Sequence, residues 1–257
     1  MNKLKNAFDH GKAAVTFLTC GDPDLATTAA AIRTAVENGA DLIELGIPFS
    51  DPTAEGAVIQ EASLRALKNG ITTDRVFDFV RELREDVAVP MVFVTYANVV
   101  FSYGAERFLS ACHDIGVDGL LLPDLPFEEK EEFLPLCHKY DVCLISTVTL
   151  VSGRRIPMIA KEAEGFLYVL ANGGGTRTED ETCAALTEIM KTVRANTDIP
   201  CAIDYCYSSP EQAGRFAAFA DGVIASSDVV KLLAEQGHNA PASIAAYIKA
   251  VKDSLRA

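Results

Sequence analysis

Two carboxylates of the chain stand where acid–base chemistry would need them. Glu44 lies inside a short apolar segment, between Ile43 and Leu45, and Glu55 lies in the acidic, proline-containing loop that follows. A carboxylate in a buried parallel strand is unfavourable unless it is paired, protonated or catalytic. If the two carboxylates face each other across a cavity, one can give a proton while the other accepts one. The alternative is a buried structural glutamate and an exposed loop carboxylate.

A third acidic candidate is Asp204, which ends another apolar segment and is followed by Tyr205 and Tyr207. Partial desolvation would raise the pKa of this carboxyl and make it a stronger proton acceptor. The alternative is a carboxylate that accepts hydrogen bonds from nearby hydroxyl groups and has no catalytic role. A Schiff-base mechanism is not expected, because no lysine falls within a predicted strand.

The elements that must position these residues alternate regularly along the chain. Short apolar segments predict eight strands, at residues 13–19, 41–46, 91–96, 119–122, 142–147, 166–170, 201–205 and 222–225. Helices are predicted at residues 24–38, 57–68, 73–86, 104–115, 128–140, 155–164, 179–195, 210–219, 228–235 and 241–255. This alternation is typical of parallel βαβ units, and eight of them predict a single (β/α)8 barrel domain over residues 1–257. A doubly wound open sheet is the alternative.

The composition excludes several classes of function. A net charge of −13 argues against a nucleic-acid partner, and no apolar run has the length of a membrane span. The 49% of hydrophobic residues is enough for a large core. With no signal-peptide pattern at the start, these features predict a soluble cytoplasmic protein. The seven cysteines and four histidines show no metal-ligand spacing, so we expect reduced thiols and no metal site.

Several motifs of the first half carry a resemblance to a known family. The segment ELGIPFSDP, which begins at Glu44, resembles the signature of the tryptophan synthase alpha subunit family. The segments FLTCGDP from Phe17, YANVVF from Tyr96 and PDLPFEE from Pro123 support the resemblance. Together they cover the chain to about Leu150, and the second half is similar to the family mainly in spacing.

The resemblance implies a (β/α)8 barrel that cleaves indole-3-glycerol phosphate to indole and glyceraldehyde 3-phosphate, without a metal or organic cofactor. It implies that Glu44 handles the hydroxyl group of the glycerol chain, and that Glu55 takes the place of a catalytic aspartate. It also implies that Tyr168 lines the site and that Phe17 and Tyr96 form walls of the indole pocket. For the three aromatic residues, ordinary core packing is the alternative.

The phosphate-binding side departs from the family pattern of glycine turns. Asp204 and Asp228 stand where a phosphate dianion would be expected, and each like-charge pair at ~5 Å costs on the order of 3 kcal/mol. Such a change would turn an anion site into a polar, aromatic one. The residues that we expect to form this side of the site are Thr176, Arg177, Tyr205, Cys206, Ser226 and Ser227.

Three hypotheses follow. The first is a lyase of the resembled family, and the second is a rebuilt mouth that binds a non-phosphorylated aromatic ligand, with Asp204 or Glu44 as the base. The third is a non-catalytic subunit that only docks onto another protein. The resemblance also implies docking to a tryptophan synthase beta subunit through residues 48–52 and Asn98.

Overall fold

The computed structural model describes residues 3–171, 177–207 and 209–256. Within these residues it contains one sheet of nine strands, in which all neighbouring strands are parallel. The strands are β1 (Ala13–Thr19), β2 (Leu42–Gly46), β3 (Met91–Val94), β4 (Gly119–Leu121), β5 (Cys143–Leu144), β6 (Ser146–Thr149), β7 (Leu167–Leu170), β8 (Cys201–Asp204) and β9 (Gly222–Ala225).

The sheet closes into a barrel through a broken strand. Its order is β5-β4-β3-β2-β1-β9-β8-β7-β6, so the two edge strands are consecutive in the chain. Only Ile145 separates them, and its N–H donates a hydrogen bond of 2.8 Å to the carbonyl of Leu120. The predicted (β/α)8 barrel is therefore confirmed. The single strand predicted at residues 142–147 is instead two strands, one paired with β4 and the other with β7.

Helices connect the strands on the outside of the barrel. They are α1 (Lys3–Asn6), α2 (Leu25–Glu37), α3 (Ala57–Lys68), α4 (Thr73–Leu83), α5 (Ala97–Tyr103), α6 (Ala105–Asp114), α7 (Leu134–Lys139), α8 (Ile156–Lys161), α9 (Glu179–Arg194), α10 (Pro210–Ala217), α11 (Ser227–Gln236) and α12 (Ala240–Ser254). Shorter 3-10 helices occur at Phe127–Glu132, Gly153–Arg155 and Gly237–Asn239. Among the described helices, none is long and apolar enough to cross a membrane.

Two predicted helices differ from the structure for local reasons. The helix predicted at 104–115 is preceded by α5, which the sequence did not indicate, and Gly104 separates the two with a φ of 93°. The helix predicted at 128–140 is a 3-10 turn followed by α7. Because Pro135 lacks an N–H group, it begins a new helix rather than continuing the preceding turn.

The alternation of side chains along each strand decides which residues enter the barrel. Val15 and Phe17 of β1, Leu42 of β2 and Ala202 of β8 belong to the cluster that fills the interior. Side chains two residues apart share a face, so the side chain two positions after Leu42 and the side chain two positions after Ala202 also point inward. These two are the carboxylates Glu44 and Asp204.

Candidate active site

A cavity with about 620 Å³ of empty space lies at the carboxyl ends of the strands. The three carboxylates singled out in the sequence, Glu44, Glu55 and Asp204, all line it. Its lining residues are Phe17, Glu44, Ala54, Glu55, Ile59, Val94, Leu121, Pro123, Thr147, Thr149, Tyr168, Leu170, Asp204 and Ser226. The location is the mouth at which (β/α)8 barrels carry out their chemistry.

Glu44 is the most enclosed of the three carboxylates. Its side chain is 1% exposed, and its Oε1 atom has no hydrogen-bond partner among the described residues. Burial raises the pKa of Glu44 well above its usual range, and the negative charges of Asp204 and Glu55 raise it further. Glu44 therefore keeps a proton over a pH range in which an ordinary glutamate has lost it.

Glu55 reaches the same cavity from the loop between β2 and α3. The loop is held by Tyr96, whose hydroxyl oxygen accepts a 3.0 Å hydrogen bond from the N–H of Ala54 and whose ring packs on Phe49 at 5.2 Å. Burial, followed by the charge of Asp204, raises the pKa of Glu55 to about 7. This carboxyl therefore exchanges its proton near neutral pH, as a general acid or base must.

Asp204 differs from the two glutamates because both of its oxygens are hydrogen-bonded. Oδ2 accepts the Tyr168 hydroxyl at 2.7 Å and Oδ1 accepts the Ser226 hydroxyl at 3.0 Å. Burial raises the pKa of Asp204, while these two donors act in the opposite direction. Burial and the charge of Asp204 raise the pKa of Tyr168, so its hydroxyl stays a donor. Of the three carboxyls, Asp204 is the one best prepared to carry a negative charge.

The expectation that Asp204 would lie at the centre of a phosphate-binding turn is corrected by this placement. Its carboxylate points into the barrel interior, next to the two glutamates. Asp228 is also turned away from the mouth, since its Oδ2 accepts the Tyr247 hydroxyl at 2.9 Å and its Oδ1 accepts the Lys231 ammonium at 3.2 Å. The negative charge of Asp228 is therefore directed at α11 and α12.

Other predicted residues lie outside the cavity. Tyr205 stacks on Phe216 at 4.3 Å, because the side chain after Asp204 points to the outer face of the barrel. Cys206 is exposed, with its Sγ 3.9 Å from the hydroxyl oxygen of Ser227, the first residue of α11. Arg177 is exposed and does not line the cavity. Thr176 lies outside the described residues.

The two predicted aromatic walls are divided between neighbouring spaces. Phe17 lines the main cavity, whereas Tyr96 lines a smaller cavity next to it. The two cavities share Phe17, Glu55, Ile59 and Val94. The apolar wall made by Ile59, Val94 and Leu121 was not predicted. For Val94 the signal was available, since it stands two residues after Val92, which is buried in the barrel interior.

A comparison with protein families decides the identity of this site. The family model described as tryptophan synthase alpha chain matches residues 3–256. The chain belongs to this family. The tryptophan synthase alpha chain of Lacticaseibacillus casei is 43% identical over 257 residues, which cover 100% of this chain and 97% of that protein. The alpha chain of Caldanaerobacter subterraneus is 41% identical over 244 residues, with 93% of each chain covered.

Solved structures of tryptophan synthase alpha chains have the same fold. The alpha subunit of Legionella pneumophila superposes with a TM-score of 0.89 at 28% identity, covering 100% of this chain and 99% of that one. A chain of tryptophan synthase from M. tuberculosis also gives a TM-score of 0.89 at 28% identity, with 100% and 99% covered. The resemblance and the predicted class of carbon–carbon lyase acting on indole-3-glycerol phosphate are therefore confirmed.

Proposed function

We propose that the protein cleaves indole-3-glycerol phosphate to indole and glyceraldehyde 3-phosphate, with Glu44 as both the acid and the base of the cleavage. The observation that carries this proposal is the buried Oε1 of Glu44, which faces the cavity without a partner among the described residues. The family to which the chain belongs supports the choice of substrate.

The reaction breaks the bond between indole C3 and the hydroxyl-bearing carbon of the glycerol chain. In this retro-aldol step C3 gains a proton, and the hydroxyl group loses one as it becomes the aldehyde. Glu44 begins as a neutral acid, so it can protonate C3. The carboxylate that remains is next to the hydroxyl group and takes its proton as the carbon–carbon bond breaks. Glu44 is then neutral again, and no proton is gained or lost overall.

Glu55 and Asp204 contribute electrostatic stabilisation in this scheme. Protonation of C3 places a positive charge on the indole ring system. A carboxylate that faces this charge in an enclosed site stabilises it far more than it would in water. Glu55 has a pKa of about 7 and is therefore partly ionised at neutral pH. Asp204 is held as a hydrogen-bond acceptor by Tyr168 and Ser226.

Binding of a non-phosphorylated aromatic ligand is the second candidate function. It is favoured by the lining of the cavity, in which the described residues include three carboxylates and no basic side chain. A purely non-catalytic subunit is disfavoured by the same convergence of proton-exchanging groups.

Replacement of Glu44 by glutamine tests the proposed function. Glu44→Gln keeps the size of the side chain but removes the proton, so we expect kcat to fall by roughly 100-fold to 10,000-fold with an unchanged melting temperature. Glu61→Gln, an exposed carboxylate of α3, is the matched control and should keep full activity. Unaltered turnover in Glu44→Gln would contradict the proposal, and an unfolded variant would indicate a structural carboxylate.

We also infer that the protein docks onto a tryptophan synthase beta subunit and works in the cytoplasm. Ser50, Asp51 and Asn98 are exposed on one side of the mouth, where Phe49 and Tyr96 pack their segments together. We expect light scattering to detect a complex with a beta subunit, and Asn98→Lys to weaken it. A monomer in every mixture would contradict docking. A reducing compartment agrees with the buried free thiols of Cys20, Cys112, Cys137 and Cys201.

A further inference from the structure

The candidate cavity combines apolar walls with an unusual concentration of acidic groups. Phe17, Ile59, Val94 and Leu121 supply surfaces for a flat hydrophobic ligand, and the three carboxylates enter between them. No lysine, arginine or histidine is present among the described residues that line it. Glu44 is neutral, but Asp204 and the ionised fraction of Glu55 give the cavity a negative potential, which favours a ligand with a positive charge.

A second observation indicates where a ligand would bind. The side chain of Glu44 is 1% exposed, and its Oε1 atom has no partner within the described chain. A buried polar atom without a hydrogen bond is unfavourable, and each such atom calls for an explanation. Because Glu44 lines the cavity, an N–H donor of a bound molecule can supply the missing hydrogen bond.

We propose that the cavity is a binding site for bicyclic aromatic ammonium ions, and that Asp204 is the residue that determines this specificity. The proposal rests on the proposed function, because an indole that has been protonated at C3 is also a bicyclic aromatic cation. An aromatic ammonium ion therefore resembles the charged species of the cleavage reaction. The resemblance implies a glycine turn where this chain has Asp204, Tyr205 and Cys206, so it does not imply this property.

Asp204 is suited to this role because it is held in place from both sides. Tyr168 on β7 and Ser226 after β9 each donate a hydroxyl hydrogen to one of its oxygens. Ser226 occupies the N-cap position of α11, but its side chain makes no capping hydrogen bond. The Ser226 hydroxyl donates its hydrogen bond to Asp204 and does not cap the helix. The carboxylate is thus preorganised, and no reorientation is needed when a cation enters.

Binding of a cation should depend on pH with a defined sign. The titratable groups around Glu55 are Glu44 and Asp204 across the cavity, together with the hydroxyl groups of Tyr96 and Tyr168. A cation favours ionised carboxylates. Since the pKa of Glu55 is about 7, affinity should rise as the pH increases towards 7 and then become constant. Below pH 7, binding should therefore release a proton to the buffer.

Calorimetry with three ligands of the same shape tests the proposal. The ligands are 2-aminoindane, indan-2-ol and indane-2-carboxylate, which are a cation, a neutral molecule and an anion at neutral pH. We expect the cation to bind at least about tenfold more tightly than the alcohol, because a hydrogen bond to a charged partner is stronger than one to a neutral partner. The carboxylate should bind least well. Equal affinities for the ammonium and the alcohol would overturn the proposal without any variant.

Two variants assign the specificity to a residue. Asp204→Asn keeps the shape of the side chain and should remove most of the preference for the ammonium over the alcohol, leaving only the part that ionised Glu55 supplies. Asp228→Asn is the matched control, because its carboxylate bonds Tyr247 and Lys231 outside the cavity, and it should keep the preference. An unchanged preference in Asp204→Asn would overturn the role of this residue.

The cleavage assay separates this proposal from the proposed function. Wild-type protein that cleaves indole-3-glycerol phosphate but does not prefer the ammonium supports the lyase and overturns the aromatic-cation site. Wild-type protein that prefers the ammonium, and loses most of this preference in Asp204→Asn, supports the cation site whether or not cleavage is detected.

Discussion

At the residue scale, the length of the Glu55 side chain decides where its carboxylate meets the substrate. The resemblance implies an aspartate at this place, so the glutamate of this chain carries one additional methylene group. Glu55 lines the cavity together with Ala54, and its charge acts on Glu44.

Shortening this side chain should therefore reduce activity. Glu55→Asp withdraws the carboxylate by about one bond length, and a misplacement of ~1 Å can lower the rate by up to ~100-fold. We expect a lower kcat in steady-state kinetics with little change in KM. Glu61→Asp on the exposed face of α3 is the control. Activity equal to or above that of the wild type would show that the loop does not depend on the longer side chain.

Some residues of the site could be predicted from the sequence and others could not. Glu44 and Asp204 could be predicted, because a carboxylate in an apolar strand is unfavourable unless it is paired or functional, and both line the cavity. Tyr205 was expected at the site, and its ring stacks on Phe216, because the side chain that follows Asp204 points to the opposite face. The pairing of Asp228 with Tyr247 depends on how α11 packs against α12, which no local pattern contains.

At the scale of elements, one connection positions the loop that carries Glu55. Tyr96 is the N-cap residue of α5, and its hydroxyl oxygen accepts a hydrogen bond from the N–H of Ala54 across the mouth. Tyr96 is buried, so water does not readily replace this hydrogen bond. Burial also raises the pKa of the Tyr96 hydroxyl group, which therefore stays neutral. The N-cap residue of a helix that the sequence did not indicate therefore holds the loop that carries Glu55.

Removal of this hydroxyl group should loosen the loop. Tyr96→Phe leaves the N–H of Ala54 without its acceptor, which should lower the free energy of unfolding by about 1 kcal/mol and raise KM several-fold. Faster hydrogen exchange of the Ala54 amide is the direct measurement. Tyr103→Phe is the matched control, since its hydroxyl donates to Asp74 on the surface at 2.6 Å. Equal exchange rates in the two variants would contradict a role of Tyr96 in holding the loop.

The strands were easier to predict than their closure. Apolar runs bounded by turns identified all the segments of the barrel sheet. Strands that are covered on both faces are apolar along their whole length, so they stand out from the polar segments around them. The strand breaks at Ile145 because the residues before it pair with β4 and the residues after it pair with β7. It depends on pairing between distant parts of the chain, so no local pattern reveals it.

At the scale of the whole molecule, the acidic cluster makes the folded state less stable at neutral pH. Burial and neighbouring charge raise the pKa of Glu55 from 4.5 to about 7 on folding. Between these two pH values the folded protein binds more protons than the unfolded chain does. The contribution of Glu55 to stability is therefore lost as the pH rises from 4.5 to 7, which is the reverse of the usual behaviour of a salt-bridged carboxylate.

Replacement of Glu55 by glutamine should remove this pH dependence. Urea unfolding of Glu55→Gln should give a free energy of unfolding higher than that of the wild type by on the order of 2 kcal/mol at pH 8, and equal to it near pH 4. Turnover should fall in the same variant, because the carboxylate that lowers stability is one that is proposed to stabilise the charged indole. Glu131→Gln in an exposed turn is the control and should follow the wild type at both pH values. A parallel response of the two variants would contradict the assignment, because the stability difference would then belong to overall charge and not to the cavity.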